Sequence, residues 1–254
     1  MSEQEICIRL EKVSKSFNKA NSGNDIVGLV KRIFNKNRRS TKLQVLKNIS
    51  FTVKRGEFLG IIGRNGSGKS TLINILMGTL KPDSGIVEVK GRTIRMALAM
   101  GFDHELNARE NIYLNGTVLG LSFKQIGSIY NDIIDFAELR DFEFTPLKFY
   151  SNGMRTRLAF SVAIYAQADI FLMDEFFGGV GDEIFKYKSE KVFHESLIDG
   201  RTIVHVSHNV DMLIKYADNV LFLDKGEVKA YGPPEEVVPF YKEYFRKEAM
   251  AKKI

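Results

Sequence analysis

Apolar and polar residues follow two different periods along the chain. Residues 5–13 and 44–53 alternate with a period of two, which predicts a strand in each stretch. Two short apolar runs, 57–63 and 169–175, predict buried strands, the first ending at glycine and the second at two carboxylates. Further strands are predicted at 85–91, 93–101, 202–208, 219–226 and 227–232.

Helical segments lie between the strands and predict an α/β fold. Helices are expected at 69–78, 108–139 (two helices, with Ser122 as the N-cap of the second), 151–166 and 183–197, with a short helix after 208 and a helical tail over 234–254. Strands that alternate with helices favour a mixed sheet with a parallel core. The helix-rich stretch 102–166 is predicted to be an inserted α-helical subdomain, and the strands near the N-terminus an antiparallel β subdomain, within one domain over 1–254.

Composition narrows the class of protein. The chain has 254 residues, of which 44% are hydrophobic, which is enough to bury a core. Cys7 is the one cysteine, so no internal disulfide can form, and a reducing compartment is expected. The first residues lack a signal-peptide pattern, and no uncharged apolar run approaches the roughly 20 residues that span a bilayer. We expect a soluble chain that works at a membrane, if at all, from one side.

Positive charge is concentrated near the N-terminus. The net charge is +6, and residues 26–42 contain six Lys or Arg and no Asp or Glu. This stretch is either a solvated basic loop or a patch that faces anionic lipid headgroups or an acidic partner. Nucleic acid is not expected, because no aromatic interleaving accompanies the charge. Within an insertion at 18–43, apolar residues over 26–34 have the spacing of a short amphipathic helix.

A glycine-rich motif follows the strand at 57–63. The sequence "GRNGSGKST" at 63–71 fits G-x-x-x-x-G-K-[ST], lies after a predicted strand and opens a predicted helix, which is the context of a phosphate-binding loop. Gly66 and Gly68 would let backbone N–H groups turn toward phosphate oxygens, Lys69 would add a positive charge, and Ser70 could bind Mg²⁺. The alternative is a chance glycine-rich turn with an exposed lysine.

Two carboxylates and a histidine end neighbouring predicted strands. Ligands bind outside the carboxyl ends of parallel strands, so Asp174 and Glu175 should face the phosphate loop. Asp174 would hold Mg²⁺ through its water shell, and Glu175 would act as the general base for a water molecule. The alternative is an acid pair that caps the next helix. His208, after the next strand, could orient that water or could be structural, and His205 fits a packing role.

Four motifs in order resemble the ATPase subunit of ABC transporters. They are "GRNGSGKST", "YSNGM" (150–154), "IFLMDE" (170–175) and "VSHN" (206–209). The resemblance implies a P-loop NTPase core that uses ATP and Mg²⁺, with Phe17 stacked on adenine and Asp182, in "GGVGD", touching the opposite subunit. The implied ATP contacts are Phe17, Gly63, Asn65, Gly66, Ser67, Gly68, Lys69, Ser70, Thr71, Ser151, Asn152, Gly153 and Asp182. Ser70 and Asp174 are the implied metal ligands, and Glu175 and His208 are the catalytic pair.

A narrower resemblance points to exporters of O-antigen, capsule and teichoic-acid polysaccharides. It is carried by "GFDHELNARENIYLNG" (101–116), "YSNGM" and "GGVGD". In that group an insertion like 18–43 forms a short helix near the membrane channel, and the subunit works at the cytoplasmic face of the bacterial membrane. Some members carry an extra C-terminal carbohydrate-binding domain, and this chain resembles the shorter type.

The motif at 151–154 implies that two copies of the chain share each ATP. Ser151 and the N–H groups of Asn152 and Gly153 would meet a γ-phosphate held by the phosphate loop of another copy, although Ser151 could also be an ordinary N-cap. A separate membrane subunit would receive the motion. The chain departs from the family pattern in several places: Asn152 stands where glycine is usual, residues 92–124 contain no glutamine although the family places one there, and "FFGG" after Glu175 differs from the usual sequence before the D-loop.

Three other functions stay open. The chain could serve an ABC exporter of lipid, drug or haem. It could be a soluble ATP-driven clamp on DNA or ribosomes, although such proteins usually carry paired cassettes or long coiled coils. It could also be an ATP-binding scaffold without catalysis, which the presence of Lys69, Asp174, Glu175 and His208 argues against.

Overall fold

The computed structural model describes residues 5–18, 42–96, 101–165, 168–174, 183–193 and 200–251. The strands are β1 (Ile6–Asn18), β2 (Lys42–Lys54), β3 (Phe58–Ile62), β4 (Ser84–Val89), β5 (Thr93–Met96), β6 (Ile170–Asp174), β7 (Thr202–Val206), β8 (Asn219–Asp224) and β9 (Glu227–Gly232). The helices are α1 (Lys69–Leu76), α2 (Ala108–Val118), α3 (Phe123–Ala137), α4 (Asn152–Ala163), α5 (Glu183–Phe193), α6 (Val210–Tyr216) and α7 (Pro234–Ala251).

The central sheet has a parallel core. Within the described residues its order is β5-β6-β7-β3-β8-β9, and only the β8–β9 pair is antiparallel. All five residues of β3 and of β7 are buried, as expected for strands covered on both faces. Because β6, β7 and β3 are adjacent and parallel, their carboxyl ends lie at one edge of the sheet.

Alternate residues of the central strands belong to two different cores. On one face, Leu172 and Val204 pack in the same cluster as Leu72 and Ile73 of α1. On the other face, Phe171 packs in a cluster with Phe160 of α4 and Phe185 of α5. Strand side chains alternate between faces, so α1 and the pair α4–α5 cover opposite sides of the sheet.

An antiparallel sheet lies beside the face that α1 covers. Its order is β2-β1-β4 among the described strands, and both pairs contain register shifts. Its buried residues, Val13 and Ile49 among them, pack in the same cluster as α1 and the central strands. The predicted α/β fold with a mixed sheet and an antiparallel β subdomain is therefore confirmed.

The helical region has a hydrophobic cluster of its own. Ile112 of α2, Ile133 and Ile134 of α3, and Leu158 of α4 are buried together there. Ser122 caps α3 as predicted, with its Oγ accepting from the N–H of Gln125 and the Gln125 side chain accepting from the Ser122 N–H. The boundaries of the helical subdomain, the insertion and the tail remain predictions.

The structure confirms most of the elements predicted from the pattern. The strand predicted at 93–101 is observed over Thr93–Met96, and the helix predicted at 183–197 over Glu183–Phe193. The amphipathic helix predicted at 26–34 and the basic stretch up to 41 lie outside the described residues. In the part of the chain that is described, none of the helices combines the length and apolar character needed to cross a membrane.

Candidate functional site

The loop at 63–68 connects the buried strand β3 to helix α1. Its lysine is turned back onto the loop: Lys69 Nζ donates hydrogen bonds to the carbonyl oxygens of Gly63, at 2.7 Å, and of Arg64, at 2.9 Å. The side chain is 7% exposed. Asn65, Gly66 and Ser70 are exposed, Ser67, Gly68 and Lys69 are buried, and Thr71 is half-buried. A buried ammonium at the start of a helix gives this loop a concentrated positive potential.

Gly68 needs to be glycine for two reasons. Its φ is +111°, a conformation that residues with a side chain rarely adopt. A Cβ atom there would also lie 2.7 Å from the Leu46 side chain and 3.0 Å from the Val45 carbonyl oxygen. The backbone of the loop at Gly68 therefore lies directly against β2, with no room for a side chain.

Ser67 contributes a buried polar atom to the loop. Its Oγ is inaccessible to solvent and has no hydrogen-bond partner within the part of the chain that the structure describes. Its carbonyl oxygen accepts from the N–H of Gly226, in the turn between β8 and β9, at 3.0 Å. A buried hydroxyl without a partner is costly, so an oxygen-rich ligand that supplies one fits this loop.

Asp174 lies at the carboxyl end of β6 and is linked to α1 through an arginine. Arg95, on the neighbouring strand β5, places Nη2 2.7 Å from Asp174 Oδ2. Its Nη1 donates to Asn74 Oδ1 of α1 at 3.2 Å. Asp174 shares its sheet face with Leu172, which is the face that α1 covers. The carboxylate predicted to bind metal therefore faces the helix that begins at Lys69.

His208 lies in the turn that follows β7, at the same edge of the sheet. The turn is anchored to β3 by a hydrogen bond from the Ser207 N–H to the Ile61 carbonyl oxygen, at 3.2 Å. Asn209 then caps α6, its Oδ1 accepting from the Met212 N–H at 3.1 Å. His208 is exposed. The structure therefore places the phosphate loop, Asp174 and His208 after three adjacent parallel strands.

His205 is a packing residue, as its position in the apolar pattern predicts. It is 0% exposed and stacks on Phe58 of β3 with ring centroids 6.1 Å apart. Burial lowers its pKa to about 4, so the imidazole is neutral near pH 7.

The last helix contacts the phosphate loop. Arg64 Nη1 lies 2.8 Å from Glu248 Oε2 of α7, and the Arg64 guanidinium lies 5.4 Å from the centre of the Phe245 ring. Phe245 belongs to an aromatic group in which Tyr241 and Tyr244 of α7 pack edge-on against Phe222 of β8. This contact joins two segments that are 184 residues apart, so it could not be recognised from the spacing of motifs.

Ser151 caps helix α4 in the helical region. Its Oγ accepts from the Met154 N–H at 3.1 Å, which is the ordinary N-cap geometry. Asn152 Oδ1 accepts from Arg155 Nη2 at 2.7 Å, so this asparagine anchors a neighbouring arginine on the first turn. Gly153 is half-buried at the same helix start. The N-terminal N–H groups of α4 thus form a second positive helix end, on a different element from the phosphate loop.

Three of the predicted site residues are not seen in contact with the described site. Phe17 is on β1 and is 40% exposed, with Lys15 Nζ 5.7 Å from its ring centre. Glu175 and Asp182 lie outside the described residues. Sequence reasoning missed Arg95 and Asn74, although an arginine inside the short apolar strand TIRM was a signal that a buried anion lies nearby.

The donor set fits a nucleotide with its metal better than a metal alone. No group of three or more His, Cys, Asp or Glu that could hold a metal ion is found over the described ranges. Ser70 and Asp174 offer one hydroxyl and one carboxylate, and Mg²⁺ in such sites completes its shell with water and substrate phosphates. The buried Ser67 hydroxyl and the Lys69 ammonium suit phosphate oxygens.

The fold and the site define the class of protein: a P-loop domain with a parallel core and an added helical region. The family model for ABC transporters matches residues 46–178. The teichoic acids export ATP-binding protein TagH of Lactococcus lactis is 44% identical over 78% of this chain and 42% of its own length. The O-antigen export system ATP-binding protein RfbB of Klebsiella pneumoniae is 39% identical over 81% of this chain and 83% of its own.

The chain belongs to the ABC transporter family. A solved ATP-binding subunit of an ABC transporter shares its fold, with a TM-score of 0.70 and 20% identity over 93% of each chain. The two relatives are named for export of teichoic acids and of O-antigen, which is the group that the motifs resemble. The chain spans between 42% and 66% of the length of the first TagH relatives that it matches.

Proposed function

We propose that the chain is the ATP-hydrolysing subunit of an exporter. The observation that carries this proposal is the link from Asp174 through Arg95 to Asn74, which brings a carboxylate to the helix that follows the phosphate loop. His208 follows the next strand at the same edge. Phosphoryl transfer needs mostly positioning and charge neutralisation, and these residues supply both.

Each residue of the loop has a role toward ATP. The N–H groups at the start of α1 and the Ser67 hydroxyl would bind phosphate oxygens. Lys69 would exchange its two carbonyl acceptors for phosphate oxygens, which are stronger partners for an ammonium. Phe17, which is 40% exposed, would stack on the adenine.

Ser70 and Asp174 would hold Mg²⁺. When bound, the ion neutralises charge on the phosphates. Glu175, directly after Asp174 in the sequence, would accept the proton of the attacking water, and His208 would orient that water. An acid pair that caps the start of the next helix remains the alternative role for Asp174 and Glu175.

Two copies of the chain would share each ATP. Ser151, Asn152 and Gly153 lie on an element other than the phosphate loop, at a helix start that suits a phosphate, and this supports a role across a dimer interface. Asp182 would contact the opposite copy. Binding would close the pair, hydrolysis would open it, and a membrane subunit would be driven by the motion.

The transported substrate is proposed to be a lipid-linked polysaccharide at the cytoplasmic face of a bacterial membrane. The support is the pair of relatives named for teichoic acids and O-antigen export, together with the motif at 101–116. In that motif, Asn111 is buried and its Nδ2 donates to the carbonyl oxygens of Asp103, Leu106 and Asn107. A gene for a membrane subunit beside glycosyltransferase genes would support this substrate class, and drug- or haem-export neighbours would contradict it.

The rate of ATP hydrolysis by a Glu175 variant tests the role of Glu175 as the general base. Glu175→Gln should abolish ATP hydrolysis while ATP still binds, because the amide cannot accept the proton. Lys191→Gln, an exposed change on α5, is the control and should hydrolyse ATP like the unaltered chain. Hydrolysis by Glu175→Gln at the unaltered rate would remove Glu175 from this role.

A further inference from the structure

We propose that Arg95 is a built-in counter-cation of Asp174, which keeps divalent metal off this carboxylate until a nucleotide is bound. The inference rests on the proposed ATPase function, because it assigns Asp174 to the metal. It makes Arg95 a positioning residue that acts through Asp174 and α1.

The contact is direct and occupies a metal-binding oxygen. Arg95 Nη2 lies 2.7 Å from Asp174 Oδ2, and the two side chains are only 26% and 21% exposed. At that distance and burial the guanidinium donates a charge-assisted hydrogen bond to Asp174 Oδ2. The same oxygen would be needed to bind a metal ion or one of its water ligands. The planar guanidinium matches the geometry of a carboxylate, which suits Arg95 to this contact.

The position of Arg95 in the sheet is what makes the contact specific. Arg95 is paired with Leu172 of β6, two residues before Asp174 and on the same sheet face. Its neighbours Ile94 and Met96 are buried on the opposite face. A guanidinium in this short apolar strand is costly unless an anion receives it, and its Nε atom is buried with no hydrogen-bond partner among the residues described. The geometry therefore assigns Arg95 to Asp174 rather than to solvent.

Asn74 gives the guanidinium a second acceptor. Nη1 donates to Asn74 Oδ1 at 3.2 Å, and Asn74 is on α1, one turn beyond Lys69 and Ser70. When Asp174 turns to a metal that arrives with the phosphates, Arg95 can remain hydrogen-bonded to Asn74. Arg95 could therefore give up Asp174 without its guanidinium being left with no hydrogen-bond acceptor in the site.

The donor count explains why the exchange would depend on nucleotide. Ser70 and Asp174 are too few to hold Mg²⁺ by themselves, and the described residues contain no cluster of three metal-binding side chains. Phosphate oxygens raise the donor number and add negative charge, which shifts the competition for Asp174 from the guanidinium to the metal. The expected result is a protein that binds metal poorly alone and well with nucleotide.

Manganese binding to the nucleotide-free chain tests the inference. Free Mn²⁺ would be measured by electron paramagnetic resonance with the unaltered chain and with Arg95→Gln, Arg95→Lys, Asp174→Asn and the double variant Arg95→Gln/Asp174→Asn. Arg95→Gln should bind Mn²⁺ about tenfold more tightly than the unaltered chain, because the competing charge is gone. Arg95→Lys should stay close to the unaltered chain, and the gain should vanish in the double variant.

A matched control removes a positive charge elsewhere. Arg9→Gln loses a half-buried arginine of β1 whose carboxylate neighbours are Glu11 and Glu88, and it should leave Mn²⁺ binding unchanged. Equal or weaker Mn²⁺ binding by a folded Arg95→Gln would overturn the inference. Should Arg95→Gln not fold, the unaltered chain and Asp174→Asn decide. Nucleotide-free Mn²⁺ binding that Asp174→Asn leaves unchanged is the result expected, because Arg95 already occupies the carboxylate. Tight nucleotide-free Mn²⁺ binding that Asp174→Asn abolishes would overturn the inference.

Binding of a fluorescent ATP analogue in the same samples keeps the two proposals apart. If no variant binds the analogue, the ATPase proposal fails, whatever the Mn²⁺ result. If all bind it and Arg95→Gln shows no gain in nucleotide-free Mn²⁺ affinity, only the role of Arg95 fails.

Discussion

Lys69 Nζ lies 2.7 Å from the carbonyl oxygen of Gly63, six residues earlier in the chain. The ammonium thereby connects the two ends of the loop that joins β3 to α1. It also donates to the Arg64 carbonyl oxygen at 2.9 Å. The loop is held in shape by the same side chain that is proposed to meet the phosphates, so the site is preorganised around its charge.

Lys69→Met should weaken ATP binding by roughly 10- to 100-fold, because a charge-assisted hydrogen bond contributes about 1.5–3 kcal/mol. The reason is the loss of the ammonium from the loop, while the methionine keeps most of the buried volume. The measurement is titration with a fluorescent ATP analogue. Lys81→Met, at an exposed position after α1, is the control. Equal affinities for the two variants would exclude Lys69 from phosphate binding.

Ser151→Asp separates the capping role of Ser151 from its proposed role at a phosphate. Aspartate caps a helix as well as serine, so the free energy of unfolding should change by less than about 1 kcal/mol. The added negative charge should repel the γ-phosphate of the partner copy and abolish ATP-dependent pairing and turnover. Ser122→Asp makes the same change at the N-cap of α3 and should leave turnover intact. Normal turnover by Ser151→Asp would mean that Ser151 is only a cap.

Glycine-to-alanine changes at Gly68 and Gly127 should shift the free energy of unfolding in opposite directions. Gly68→Ala puts a Cβ 2.7 Å from Leu46 at φ +111°, and strain of this kind costs about 1–3 kcal/mol. Gly127 lies within α3, and a Cβ there would only approach Tyr113 Oη, at 3.4 Å, so alanine should stabilise the chain by about 0.5–1 kcal/mol. Urea unfolding of both variants measures this. A Gly68→Ala chain as stable as the unaltered one would contradict the strain argument.

His205 should make stability depend on pH below neutrality. Burial lowers the pKa of the folded chain's His205 to about 4, whereas the unfolded chain takes up its proton near the ordinary value of about 6.5. Between those values the unfolded state binds more protons than the folded state. The free energy of unfolding is therefore highest above about pH 6.5 and falls as the pH drops toward 4. The loss between pH 7.5 and pH 5 should be about 2 kcal/mol.

Urea unfolding at the two pH values, with two histidine variants, isolates this contribution. His205→Phe, which keeps a ring against Phe58, should lose about 2 kcal/mol of the pH dependence, whereas His104→Gln, at an exposed position, should keep it. The same pH dependence in His205→Phe and the unaltered chain would show that His205 titrates normally.

Local patterns predicted most of the strands and helices, including β3 and α1 on either side of the glycine-rich loop, for physical reasons. The apolar run 57–63 followed by glycines and a lysine contains the strand, the turn and the helix start in one continuous stretch. Ser122 could be predicted as a cap from its position between two helical patterns, and its partner Gln125 is only three residues away. In each case the interacting groups are close in sequence.

The contacts that sequence reasoning missed join distant segments. Arg95 and Asp174 are 79 residues apart, and they meet only because β5 pairs with β6 in parallel register. Arg64 and Glu248 meet because α7 packs on β8, through Phe222 and the aromatic residues of the last helix. Neither strand order nor helix docking follows from the period of a pattern, so these pairs required the structure.

The most direct test of the proposed ATP-driven pairing is the mass of Glu175→Gln in solution with and without ATP, measured by size-exclusion chromatography with light scattering. We expect one chain without nucleotide and two chains with ATP, because binding closes the pair and the missing base prevents hydrolysis from opening it. Glu175→Gln/Ser151→Asp should remain a single chain with ATP, since its second helix start repels the phosphate. A Glu175→Gln chain that binds ATP and stays single would contradict the account.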